Sequence, residues 1–441
     1  MATASKIHLS PEQKPEFYVQ GISAEAAETA SQLLQENHEK HHIFFNKSGF
    51  HNHIAHHLLT LYALNATPAQ LRKAYADNVS YQRPPVALEQ SVVEDMHVTD
   101  RFKTYLGKEK YYHDFLVFFK KEIEKHGWED VVKEYVFQGD ERADDILVRM
   151  FAGFLHPIIH LGFGIEFAQP AIIAEALAQA CVHDSWIGSL FHSCEAAAAK
   201  SPDLPARSIV ELLQEIREDE KLSKAAHYED GNKIRDGVLK RAGEEMVRVA
   251  SRYKAPEDEL QQRTAEMINA AVYFTSASQH PPHIPKFDFY YIHSANASLF
   301  FTRFQTLSFL APATRARLLE WKVRFDLAMY ASRACPRLDL SSATDYASRQ
   351  QAASWADVFA RVCALSDDGH AAKLVRVLAH GEGACAGFED AGGFVVKGGV
   401  WRVLGNMAVD SVEAAGPKWV RSAGFEEVWR DVPEREEGAR L

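Results

Sequence analysis

The sequence predicts an all-α or mainly α protein: a compact multi-helix domain with at most a short C-terminal hairpin. Three observations carry this. Apolar residues recur at helical spacing along most of the chain, as with Ile54, Leu58 and Leu61. Helix start signals precede several such runs. The clearest is Thr67-Pro68-Ala69-Gln70, a capping box with proline at the first helical position. Alternating β-type stretches are scarce, and "GGFVVKGGVWRVL" near 393–404 is the place for a hairpin.

Taken in order, the first helix starts at Ser23, a capping residue followed by early glutamates and by Ala27, Ala30 and Leu34 on one face. "HNHIAHHLLTLYAL" gives a second and the Thr67 signal a third. Helical patterns follow near 109–125, 143–168, 171–199, 206–219, 256–278, 290–308 and 313–334. Within 143–168, Pro157 breaks the hydrogen-bond ladder one turn after Gly153, so a kink is expected there. Linkers are expected at 200–205, 280–287 and 335–345. The mixed-charge stretch from Glu211 to Glu257 reads as a solvated helical face. The chain is expected to form a single catalytic domain over 1–441, with about 1–20 as an N-terminal extension and 433–441 as a C-terminal tail.

Composition narrows the function. The 441 residues are 46% hydrophobic and 25% charged, as in ordinary globular proteins. The net charge of −11, with no long Lys/Arg run, argues against a nucleic-acid partner. No stretch reaches the roughly 18 apolar residues of a membrane span. The N-terminus lacks the apolar region of a secretory signal. Five scattered cysteines read as free thiols, which makes a cytoplasmic location the default expectation. Gly381, Gly383 and Gly387 do not match a dinucleotide loop, and there is no Walker A motif, nucleophile elbow or H-E-x-x-H helix.

Histidine carries the remaining signal. Seven of the 21 histidines fall between positions 38 and 57. If "HNHIAHH" is helical, His53 shares a face with His56 and His57 while His51 faces away. His156 and His160 form a second pair at i,i+4. His293 sits among Phe287, Phe289, Tyr290, Tyr291 and Phe300, and His370 follows Asp367 and Asp368 at a helix start. A lone histidine on an apolar helix face is usually a hydrogen-bonded core residue, and the aromatic stripe at 287–291 is more often core than pocket. Lys373 lies three residues after His370, near a helix N-terminus that disfavours an ammonium. A neutral lysine can react with carbon dioxide to give a carbamate, an anionic oxygen ligand. Spacing permits this without requiring it.

The segments "FNKSGFHNHIAHHLLTLYALNATPAQLRKAY" with "YQRP", "HPIIHLGFGIEF", "IHSANASLFF", "DDGHAAKLVRVL" and "WVRSAGFEEVW" together resemble the questin oxidase-like family. These are fungal polyketide enzymes that include anthraquinone ring-opening oxygenases and a Baeyer–Villiger-type oxidase of aflatoxin assembly. The resemblance runs from about residue 15 to 432. It implies a helical fold and one non-haem Fe(II), held by His53, His156, His293, His370 and carboxylated Lys373, with His53 and Lys373 also counted as catalytic. Dioxygen would be co-substrate and an aromatic anthraquinone, or its reduced quinol, the substrate, with NADPH the candidate external reductant where the quinone is reduced first. The implied reaction opens the central ring to a benzophenone carboxylic acid. A Baeyer–Villiger oxidation, a metal-dependent hydrolysis and non-catalytic binding of aromatic metabolites are the alternatives. Asn65 stands where relatives tend to carry glycine, and asparagine tolerates the left-handed conformation of a helix end.

Overall fold

The computed structural model describes residues 1–344, 346–348 and 354–435. Asp345, the last residue of the expected linker at 335–345, lies outside the described residues, as do residues 436–441 of the expected tail. Helices are the regular elements among the described residues, and β pairing is limited to isolated bridges such as Phe44 with His51. The chain forms two compact units. The first comprises Met1–Ser185, Thr306–Ala311 and Val362–Arg376, the second Trp186–Gln305, Pro312–Arg361 and Val377–Leu441. Among the described residues no single helix is long and apolar enough to cross a membrane. All five cysteines are unpaired and buried.

In the first unit, Ser23 accepts from the Ala26 N–H at the start of helix Ala24–Lys40. Thr67 and Gln70 form the reciprocal capping box of helix Pro68–Val79. Between them lies helix Ile54–Ala63, buried along its whole length. It begins one residue after His53, so the spacing argument that put His53 on a helix face with His56 and His57 does not apply. His53 belongs to the turn before the helix. Asn65 adopts φ 62 just past the end of this helix. The N-terminal residues are not helical, yet Ala4, Ile7 and Leu9 are buried and the Phe17 carbonyl accepts from the Arg376 guanidinium. Arg376 also pairs with Glu166 in the interior.

The kink near Pro157 is present, but it lies at Gly153, Phe154 and Leu155. All three take left-handed conformations, with φ of 52, 57 and 67°. They form the first turn of helix Ala152–Glu166, which meets helix Glu141–Met150 at a bend of 99°. Pro157 then sits in the first turn after the bend, where a missing N–H costs no helical hydrogen bond. The pattern near 171–199 is two helices, Pro170–Val182 and Gly188–Lys200, interrupted at His183.

In the second unit, Ser208 and Glu211 cap helix Ile209–Glu218 with a second capping box. Asp288 accepts N–H groups from Tyr290 and Tyr291 with one oxygen and from Ser422 and Ala423 with the other. It thereby anchors the start of helix Tyr291–Phe304. Phe287 and Tyr291 are core residues. The stretch near 393–404 is a turn followed by helix Val400–Glu413, with Trp401, Leu404 and Ala408 buried. Those positions follow the helical period, which prevails over the short apparent alternation.

Candidate metal centre

Two loops and one helix start bring three imidazoles together in the first unit. The first loop turns back on itself through paired backbone hydrogen bonds, Phe45 N–H to Phe50 O and Asn52 N–H to Ile43 O. Asn52 locks its exit by accepting from the Ile54 N–H and donating to Asn37. This presents His53 inward. The bend at Gly153 presents His156, and helix His370–Cys385 begins with His370. Ring nitrogens of His53, His156 and His370 lie within 4.8 Å of one another, and all three side chains are buried.

The outward nitrogens have partners that set the tautomers. His156 Nδ1 donates to the Gly153 carbonyl at 2.5 Å, and His370 Nδ1 donates to Asp368 at 2.6 Å. In each neutral ring the lone pair is then on Nε2. His156 Nε2 lies 2.8 Å from His53 Nε2. Burial, followed by the nearby Lys373 and His370 charges, keeps the His53 pKa well below the usual imidazole range. Neutral histidine is the ligating form.

Lys373 lies one turn along from His370. Its Nζ is buried and has no hydrogen-bond partner. Burial pushes its pKa down to about 8, against the pull of Asp368 and Asp367. Asp367 accepts the Ala371 N–H at the helix start, and burial with the Asp368 charge raises it to about 6. Gly369, at φ +95, allows the turn to pack directly on His57: a Cβ there would lie 2.7 Å from the His57 Cβ.

The other histidines have separate roles. His57 forms that packing surface. His56 Nε2 lies 3.0 Å from His160 Nδ1, and His160 Nε2 lies 2.7 Å from Glu175. His51 does not face away. Its ring stacks on His156 at 3.8 Å and 7°, and its Nε2 lies 2.8 Å from His183 Nε2. His293 belongs to the second unit, where it is buried and its Nδ1 bonds the Phe289 carbonyl at 2.7 Å. Sequence reasoning missed His183, Glu175 and the orienting role of Asp368. Glu175 did leave a signal: it is the one charged residue in helix Pro170–Val182, and a buried carboxylate needs partners.

These residues fit a metal ion. The cluster offers three buried imidazoles, and in two of them, His156 and His370, the second nitrogen is already held, the usual arrangement around a metal. The orphaned Lys373 amine beside it is the kind of buried polar atom that calls for a partner.

The family model described as questin oxidase-like matches residues 50–378. A Baeyer–Villiger monooxygenase of Cryptosporiopsis, dmxR6, is 41% identical over 438 residues, covering 97% of this chain and 98% of that protein. The questin oxidase of Aspergillus terreus is 38% identical over 440 residues, 98% of each. Oxidoreductase AflY of Aspergillus parasiticus is 38% identical over 426 residues, 95% of this chain and 86% of that protein. Matched by the family model over most of its length and by these proteins over nearly all of it, the chain belongs to the questin oxidase-like family.

Proposed function

We propose that this protein is an oxidoreductase of fungal polyketide metabolism: a non-haem Fe(II)-dependent oxygenase that opens the central ring of a hydroxyanthraquinone to a benzophenone carboxylic acid. The observation that carries this reading is the buried imidazole cluster with the unpartnered Lys373 amine beside it. His53, His156 and His370 would hold the metal, with His293 as the fourth imidazole by family resemblance. Imidazole suits ferrous iron, and carboxylated Lys373 would add one anionic oxygen to offset its charge. When bound, the ion supplies the one-electron activation of dioxygen that protein side chains lack.

The chain's own residues do the rest. The Gly153 carbonyl and Asp368 hold two imidazoles in the tautomer that ligates. Burial of the cluster excludes bulk water from it. The anthraquinone would enter as its electron-rich quinol, with NADPH reducing the quinone from outside, since the sequence has no dinucleotide fingerprint of its own.

A Baeyer–Villiger oxidation at the same site is the second reading. It is favoured by the 41% identity to a protein named a Baeyer–Villiger monooxygenase. Anaerobic reconstitution with Fe(II), followed by product identification under labelled dioxygen, tests both. A ring-opened acid carrying the label supports the first and a lactone-derived product the second. Turnover without oxygen, or stoichiometric zinc with no iron in active protein, rules out both.

A further inference from the structure

The N-terminal segment runs as a strap past the end of helix Ala152–Glu166. The His8 N–H donates to Gln169 Oε1 at 2.9 Å, and the His8 carbonyl accepts from Gln169 Nε2 at 2.9 Å. Gln13 Nε2 donates to the Phe167 carbonyl at 3.0 Å. The strap then closes over a buried ion pair. Arg376 Nη1 lies 3.1 Å from one Glu166 oxygen and Nη2 lies 2.5 Å from the other. The Glu16 N–H donates to Glu166 Oε1 at 2.7 Å. The Phe17 carbonyl accepts from Arg376 Nη2 at 2.8 Å and from Nε at 3.2 Å. The side chains of Arg376 and Glu166 are 2% and 0% exposed.

The pair joins the two helices that carry His156, His370 and Lys373. Glu166 ends the helix near whose start His156 stands. Arg376 lies one turn after Lys373 on the helix that His370 begins. At 1.5 Å per residue, the pair is roughly 15 Å from His156 along one helix and roughly 9 Å from His370 along the other. The ring nitrogens of His156 and His370 lie within 4.8 Å of each other. The two helices are therefore held at two separated places, and two such places fix an angle where one would not.

We propose that Glu166 and Arg376, closed by the backbone of Glu16 and Phe17, are positioning residues that set the bearing of His156 relative to His370 and Lys373. A buried ion pair is a poor device for stability alone, because apolar side chains of similar volume often serve as well or better. What the planar guanidinium adds is direction: its fork fixes orientation as well as distance. The strap completes that fork, so the N-terminal residues, expected from sequence to be an extension, belong to the frame of the candidate metal centre. The inference rests on the reading of His156, His370 and Lys373 as ligands.

The test uses Co(II) as the probe, since its visible bands report ligand geometry without turnover. The double variant Glu166→Leu with Arg376→Met replaces both charges by apolar side chains. It should keep the helical circular dichroism of the wild type, bind Co(II) roughly 10-fold more weakly or worse, and show displaced bands. Where both proteins are fully folded, overall stability does not enter the affinity, so a pair that merely fills the core would leave it unchanged. If the double variant does not fold, Arg376→Lys keeps the charge and loses the fork. Hydrogen exchange at the Glu16 amide of the metal-free protein should then quicken, and Co(II) affinity should fall. Wild-type Co(II) affinity and bands in whichever variant folds overturn the proposal. A wild type that takes up neither Co(II) nor Fe(II) overturns both this proposal and the oxygenase reading. Turnover that needs no oxygen overturns the oxygenase reading alone, because the Co(II) measurements do not depend on it.

Discussion

His53 and His156, 103 residues apart in sequence, meet Nε2 to Nε2 across 2.8 Å. His156 Nδ1 holds its proton on the Gly153 carbonyl, so the His156 lone pair points at His53. Without metal, one proton shared between two rings is the simplest way to satisfy that contact. A divalent ion replaces the proton with a shared charge. His53→Ala should therefore weaken Fe(II) binding by more than the roughly 10- to 100-fold that follows loss of an outer hydrogen-bond partner. Metal analysis after dialysis checks this, with circular dichroism confirming the helices. Full iron occupancy in the variant would remove His53 from the site.

Asp368 tests the outer partner itself. It accepts from His370 Nδ1 at 2.6 Å and is held well below the usual carboxylate range, the His370 charge and hydrogen bond outweighing burial. Asp368→Ala should leave His370 in place but free to turn or change tautomer. Fe(II) affinity should drop roughly 10- to 100-fold, less than for loss of a ligand. Competition with a coloured chelator measures it, and an unchanged affinity would show that the pair does not orient the ring.

Lys373 makes a chemical prediction. A buried amine with no partner and a depressed pKa is poised to react with carbon dioxide. Protein loaded with metal in labelled bicarbonate should show a carbamate carbon signal that Lys373→Ala lacks. The variant should lose activity, and an added short carboxylate should restore part of it. Full activity in Lys373→Ala would take the carbamate out of the mechanism.

Local rules explain what the sequence made legible. The Thr67 capping box needs only four neighbouring residues, and the structure has it as read. The bend before His156 was signalled by Gly153 and Pro157, although the left-handed residues carry the turn and proline merely follows it. What failed depended on tertiary context. "VWRVL" reads as a strand until helical burial of Trp401, Leu404 and Ala408 is known. His51 was expected to face away because its neighbours were assumed to be helical, whereas the turn before Ile54 stacks it on His156. No spacing rule brings His53, His156 and His370 together. Family resemblance nominated them, and composition could not.

Acid should destabilise the metal-free protein in a defined window. Burial, with the Arg83 charge added at His42 and the Arg149 charge at His183, lowers both pKa values to about 4 from 6.5. His57 is also lowered to about 4, by burial. The fold keeps these rings neutral while the unfolded chain takes up protons below about 6.5, so the unfolded state binds more protons across that interval. Stability is then fully present above about 6.5 and is lost as pH falls toward about 4. The slope is up to roughly 1.4 kcal/mol per pH unit for each histidine. Urea midpoints measured across this range check it, and His183→Gln should flatten the slope. A pH-independent midpoint would contradict the burial of these rings.

Gly153 joins backbone geometry to the candidate site most directly. It sits at φ +52, where a side chain costs roughly 1–2 kcal/mol by itself. A Cβ there would lie 2.6 Å from His183 Cε1 and 2.8 Å from His51 Cε1. Neither ring can easily retreat, because His51 is stacked on His156 and bonded to His183. Relief would have to come from moving the bend, and the Gly153 carbonyl that holds His156 Nδ1 would move with it. Gly153→Ala should therefore lower stability by at least about 2 kcal/mol and weaken Fe(II) binding in the same variant. Urea unfolding of the metal-free protein gives the first quantity and chelator competition the second. Lost stability with unchanged metal affinity would mean that the bend supports the fold without aiming His156.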